Sequence, residues 1–254
     1  MEWAQLFAEG KVVAFILLFV RFTALFLNTP IFSHTSIPIT IKAALSFFFT
    51  IVFFSSLPPL AIEINVATLA IAILGEFLFG LTIGIVLLLA YHVVTFAGGQ
   101  ISFVMGFSLA SAIDPQTGVS MPIISQFLSL VALMILFSLD LHHWVLLYVN
   151  QSLSAIPLGG FLLDKNIFDY IIHAAGNMFL VGFTIAFPIV ALSWLADVIF
   201  GMLMKTMPQF NLLVIGFPIK IGVAFTVLIA TLAASMYIVK AQMLNAFNWL
   251  EVLF

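Results

Sequence analysis

Charged side chains set inside long apolar runs are the residues of this chain most able to do chemistry. Arg21 lies between Val20 and Phe22, Glu76 follows Gly75 in a long apolar stretch, and Asp140, Asp197 and Lys220 are similarly placed. On insertion scales each such charge costs about 2.5–3.5 kcal/mol at the centre of a bilayer, so it needs a partner or water. Arg21, Glu76, Asp197 and Lys220 are therefore expected to be buried and paired, within the chain or across a subunit boundary. A proton or ion relay is the alternative reading of the same residues. Lys42 and Lys240, at the ends of apolar runs, are expected to snorkel toward water instead.

Other chemistries find less support. The five histidines are His34, His92, His142, His143 and His173, and only two are adjacent. Neighbours on a helix point in different directions, so His142 and His143 are not expected to form one metal-binding face. There is no cysteine for a thiolate site or a nucleophile. No metal and no cofactor are expected. Gly106-Phe107-Ser108-Leu109 has the look of the Gly-x-Ser turn of a membrane serine protease. The strand and helix that would flank a nucleophile elbow are missing, and no histidine is placed as a base. No phosphate-cradling loop is present, so ATP hydrolysis is not expected. Seven Lys+Arg are scattered singly against ten Asp+Glu, for a net charge of −3, which argues against nucleic acid as a partner.

The most informative stretch starts at Gly98-Gly99-Gln100 and continues through Met105-Gly106-Phe107-Ser108-Leu109 and Ile113-Asp114-Pro115 to Met121-Pro122. It reads as a non-helical insert between two apolar helices, with Asp114-Pro115 opening a turn. It is too apolar for an ordinary surface loop. Apolar side chains that exclude water, beside small ones that permit movement, suit a pore constriction or plug. A re-entrant packing loop has the same composition, and the residues leave the two readings level.

These residues are carried by an extremely apolar frame. Of 254 residues 64% are hydrophobic and 7% charged, with a mean hydropathy of +1.31. An ordinary soluble domain carries roughly a quarter charged residues, so this chain must meet lipid, other apolar subunits, or both. The N-terminus opens Met1-Glu2-Trp3-Ala4, with no basic region and no small-residue cleavage site, and is not expected to be a cleaved signal peptide. A transmembrane helix needs about 20 largely apolar residues. The runs 12–27, 43–62, 66–96, 122–139 (extendable to 149), 168–195 and 212–239 predict about six such helices in an all-α membrane protein. Pro30, Pro38, Pro188, Pro208 and Pro218, with Gly75, Gly80, Gly84 and Gly98-Gly99, predict that several are broken or bent. Broken helices at membrane depth are tolerated only where protein or an aqueous cavity covers them, which points to transport or translocation. The polar stretch 150–166 reads as an exposed connection, and Met207-Pro208-Gln209-Phe210-Asn211 as the bend of a C-terminal hairpin. Single lysines mark nearly every boundary, so orientation by the positive-inside rule is weak.

The order of motifs resembles the FliR family and its virulence-injectisome counterparts over nearly the whole chain. Arg21 is followed by Asn28-Thr29-Pro30-Ile31-Phe32, Ile37-Pro38 and Lys42, then by Glu76, Gly80 and Gly84. Gly99-Gln100, Met105-Gly106, Asp114-Pro115, His142-His143 and Ile156-Pro157-Leu158-Gly159 come next. The C-terminal signature is Ala186-Phe187-Pro188, Asp197, Gly201, Pro208-Gln209-Phe210-Asn211 and Gly216-Phe217-Pro218-Ile219-Lys220. Lys205 departs from the pattern, standing where the family usually has arginine, which keeps the charge and loses a bidentate contact.

That resemblance implies a non-enzymatic subunit of the flagellar type III export gate, in the bacterial inner membrane at the flagellar basal body. Its implied partners are FliP and FliQ subunits, a FlhB-type switch subunit, unfolded flagellar export substrates and membrane lipid. Residues 1–165 would be a FliP-like part and 166–254 a FliQ-like helical hairpin, much of it raised above the bilayer. The segment 106–121 would be the gate plug, with Gly106, Phe107, Leu109, Ile113, Asp114, Pro115 and Met121 as its candidate residues. Pro208, Gln209 and Asn211 would form a bend touching the switch subunit. The competing readings are a virulence injectisome gate subunit, a small-solute secondary transporter with broken helices, and an intramembrane protease.

Overall fold

The computed structural model of the chain describes residues 9–33, 37–55, 57, 65–107, 122–207 and 212–252. Among the described residues the regular structure is helical throughout. In chain order the helices are α1 (Glu9–Asn28), α2 (Pro30–Ser33), α3 (Ile39–Phe54), α4 (Val66–Val104), α5 (Ile123–Ser138), α6 (Leu141–Ala155), α7 (Lys165–Thr206) and α8 (Phe217–Val252). A π-helical turn, Leu212–Gly216, leads into α8.

Each of the six apolar runs meets a helix, but they do not make six spans. Four of the helices are long and apolar enough to cross a membrane: Gly10–Asn28, Val66–Val104, Lys165–Thr206 and Val214–Val252. The pair α5 and α6, bent by 59° at the break between them, adds a fifth if taken as one broken span. Among the described residues the run 43–62 contributes α3, whose 16 residues fall short of the roughly 20 a crossing requires.

Two further expectations are corrected. Gly98-Gly99-Gln100 is not the start of a non-helical insert, because α4 runs unbroken for 39 residues to Val104. Gly75, Gly80 and Gly84 likewise lie inside α4, and Pro188 inside α7. Pro38 instead caps α3, and Pro218 follows directly on the π-helical turn that leads into α8, where the lack of its N–H fits the change of hydrogen-bond pattern. The stretch 150–166 is not simply an exposed connection either. Asn150–Ala155 finishes α6, and Ser152, Leu153, Leu158 and Phe161 are buried.

The chain divides into two compact units. The first takes the described residues of Met1–Leu89, Leu136–Ala174 and Met243–Phe254. There α1 packs on α3 through phenylalanines: Phe15 meets Phe47 and Phe54 edge-on, and Phe22, Phe26 and Phe49 form a mutually contacting cluster. Against α4 the contact is closer. A Cβ added at Gly80 would lie 2.5 Å from the Arg21 carbonyl oxygen, and one at Gly84 2.5 Å from the Asn28 Cβ. These glycines, spaced four apart, bring two helix backbones together, as small residues do between membrane helices. Hydroxyls in the apolar helices bond to their own backbone: Thr29 to Leu25 O at 2.7 Å, Thr50 to Ser46 O at 2.6 Å, Thr82 to Leu78 O at 2.8 Å. Such local bonds satisfy a polar group that has no water to turn to.

The second unit takes the described residues of Ala90–Ile135 and Ala175–Gln242. Here Gly98 admits the backbone of Ser125, which a side chain at 98 would strike. A polar seam holds that approach: Ser125 Oγ donates to Thr95 O at 2.9 Å and Tyr91 OH to Ser129 O at 3.0 Å. On the other side of the same stretch of α4, Gly182 lets α7 pack against Val93 and Phe96.

Candidate functional site

The first unit is centred on a completely buried ion pair between Arg21 of α1 and Glu76 of α4. The guanidinium fork meets the carboxylate with two donors, Nε to Oε2 and Nη2 to Oε1, the latter at 3.0 Å. Its remaining donors reach a third segment: Nη1 donates to Ser152 Oγ at 3.0 Å and Nη2 to the Ile156 carbonyl at 3.4 Å. Ser152 in turn donates to Val149 O at 2.6 Å. Glu76 Oε1 also accepts the Gly159 backbone N–H at 2.7 Å. Gly159 has φ +79°, a conformation that glycine adopts without strain and that turns this N–H inward. The ring of Phe79 lies 4.3 Å from the guanidinium carbon, a cation–π contact on a face no carboxylate reaches.

Desolvating two charges costs several kcal/mol each, and only good geometry with further hydrogen bonds returns it. Here the fork, the serine, two backbone groups and the aromatic face supply that geometry. The arrangement clamps α1, α4 and the α6–α7 connection at one point. Arg21 and Glu76 were evident as embedded charges. Ser152, Gly159 and Phe79 were not, although Ile156-Pro157-Leu158-Gly159 belongs to the family pattern, and a glycine straight after a Pro-Leu turn hints at a special backbone.

In the second unit Lys220 Nζ lies 2.7 Å from both carboxylate oxygens of Asp197. The lysine side chain is 9% exposed and the aspartate 53%. Asp197 is thus paired but not buried within this chain. Lys220 sits one turn into α8, close to the π-helical turn, and ties it to α7.

Of the plug residues only Gly106 and Phe107 are described. Gly106 has φ +85° just after α4 ends, and a Cβ there would meet the Phe217 ring at 2.8 Å. Phe107 packs edge-on against Phe225, ring centroids 6.3 Å apart. Leu109, Ile113, Asp114, Pro115 and Met121 lie outside the described residues, as do Ser108 and the bend residues Pro208, Gln209 and Asn211. Lys205 is exposed in the last turn of α7.

The histidine pair departs from expectation. His142 and His143 have ring centroids 4.0 Å apart and so do not point away from each other. They follow Leu141 in the first turn of α6, just after Asp140, which adopts a left-handed conformation (φ 54°, ψ 24°). Neighbouring helical positions diverge at their Cβ atoms, and the two rings come together here through their side-chain torsions.

Residues 12–246 match the family model described as bacterial export proteins, family 1. The chain belongs to that family. Among its relatives, the flagellar biosynthetic protein FliR of Bacillus subtilis (strain 168) is 35% identical over 234 residues, 89% of each chain. FliR of Escherichia coli (strain K12) is 28% identical over 212 residues, 83% of this chain and 81% of the relative. FliR of Aquifex aeolicus (strain VF5) is 24% identical over 231 residues, 89% and 87%. The match begins before Arg21 and ends beyond Lys220, so both ion pairs lie inside the family region. For this FliR-family chain the Arg21–Glu76 clamp is the best-defined polar site among the described residues, and it ties three segments of the first unit together.

Proposed function

We propose that this chain is a non-catalytic subunit of the flagellar type III protein-export gate, resident in the bacterial inner membrane and lining part of the path taken by unfolded flagellar proteins. The observation that carries this reading is the match to FliR proteins over most of the chain. It is supported by the large apolar surface left on the last two helices. In α8 only 22% of the most apolar stretch is buried inside the chain, and Trp194, Met202, Ile229 and Tyr237 are all more than half exposed. Tyr237 and, elsewhere on α7 and α8, the polar Asn177–Gln242 pair, 2.9 Å apart, are unusual on helices meant for lipid tails alone. Subunits of the FliP and FliQ kind are the partners we assign to this surface, with a FlhB-type switch subunit at the bend 207–211. The segment 106–121 is assigned as the plug, hinged at Gly106.

Co-purification with mass spectrometry tests the reading. Chain extracted from its native membrane in mild detergent should carry two other small hydrophobic export proteins in fixed ratio. A homogeneous chain that purifies alone and drives substrate uptake in liposomes would make it a small-solute transporter instead.

A further inference from the structure

The structure assigns a divalent metal site to Asp140, His142 and His143, at the break between α5 and α6. We infer that these three side chains bind Zn²⁺, or a cation of the same borderline class, and that the ion fixes the 59° bend. The two imidazoles and the carboxylate each offer a ligand atom, and the three atoms lie within 4.8 Å of one another. Ligands of a tetrahedral zinc stand about 3.4 Å apart, given bonds of about 2.0–2.1 Å. Closing that difference needs only side-chain rotation, because Asp140 and His143 are 69% and 63% exposed and not held by packing.

Three observations favour a cation over a chance cluster. His143 Nδ1 already stands 3.4 Å from Asp140 Oδ1, so one donor–acceptor pair faces a common point. His142 Nδ1 is a buried atom without a hydrogen-bond partner, and with the ring proton on Nε2 its lone pair is one that a cation would satisfy. Asp140 is the one non-glycine among the described residues with positive φ, and it offers no side-chain cap to α6. Aspartate tolerates this left-handed conformation, and its carboxylate stands beside the two imidazoles. The positive end of the α6 dipole would oppose a cation, but the negative end of α5 finishes at the same break and offsets it. Two imidazoles and one carboxylate leave a fourth position for water, the composition of an open zinc site. Nothing about export requires this ion, so the site stands or falls apart from the proposed function.

The full 254-residue chain, purified in detergent without a polyhistidine tag, is titrated with Co²⁺ and then with Zn²⁺. One Co²⁺ per chain should bind with the intense visible absorption of a tetrahedral ion and be displaced by Zn²⁺. His142→Gln and His143→Gln should each weaken binding at least about 10-fold, since even groups outside the ligand shell are worth that much. Asp140→Gly keeps the left-handed backbone and removes only the carboxylate, so it should melt no lower than wild type while losing metal affinity. His173→Gln, at a histidine outside the cluster, should bind like wild type. Binding below one equivalent, binding untouched by the three ligand substitutions, or loss equal in His173→Gln would overturn the assignment.

Discussion

The Arg21 guanidinium is the residue on which the first unit depends most. Arg21→Lys keeps the charge but offers no fork, so contacts to Ser152 and Ile156 lapse while a charge stays buried. Glu76→Gln removes the counter-charge altogether. Breaking a buried pair from one side typically costs about 3–5 kcal/mol, and thermal unfolding of detergent-solubilised chain should register a fall of that order for Glu76→Gln and a smaller fall for Arg21→Lys, which keeps a cation opposite the carboxylate. Replacing both together, Arg21→Met with Glu76→Leu, should recover much of the loss, because no charge is then stranded. A double variant no more stable than Glu76→Gln would mean the pair holds the fold by more than its own electrostatics. Lys220→Ala should cost far less. Asp197 is half in water, and exposed pairs are worth about 0–1 kcal/mol. If Lys220→Ala matched Arg21→Lys in that melt, Asp197 would have to be covered by something outside this chain.

At the scale of elements, glycine acts here mainly through its lack of a side chain. Gly80→Val would drive a branched side chain into the Arg21 carbonyl and Ala24, and overpacking of this kind costs about 1–3 kcal/mol. Gly176→Ala is the control: nothing lies within 4 Å of a Cβ there, and alanine gains about 1 kcal/mol in a helix interior. The melting temperature should therefore fall in the first and rise in the second; a fall in both would deny the close approach of α1 and α4. The same residues explain what could be read in advance. Each of the six apolar runs holds a helix among the described residues, because a long apolar run with few charges has few other ways to satisfy its backbone. The glycines read as breaks because a sequence cannot distinguish a glycine that bends its own helix from one that admits a neighbour. Gly98 needed Ser125 opposite it to be understood. The ion pairs followed the same division: their charges stood out as local costs, while the groups completing them, Ser152 and Gly159, lie 131 and 83 residues away from the side chains they bond.

At the scale of the whole molecule the unbalanced quantity is apolar surface. A monomeric protein rarely exposes contiguous apolar patches beyond a few hundred Å² unless something covers them. In α8, Ile229 and Tyr237 are 72% and 74% exposed, while Val239 is fully buried. Lipid and a partner helix would both cover the first two, and they differ in how fast each admits a water-soluble reagent. The chain has no cysteine, so single cysteines at 229, 237 and 239 can be read without background. In isolated, detergent-solubilised chain, a hydrophilic maleimide should modify positions 229 and 237 readily and position 239 barely. Within the intact export complex, positions 229 and 237 should become as slow as 239 and should crosslink to a second small hydrophobic subunit. Labelling that stays fast in the complex would mean this face borders water or loose lipid, and the partner would have to dock elsewhere on α7 and α8.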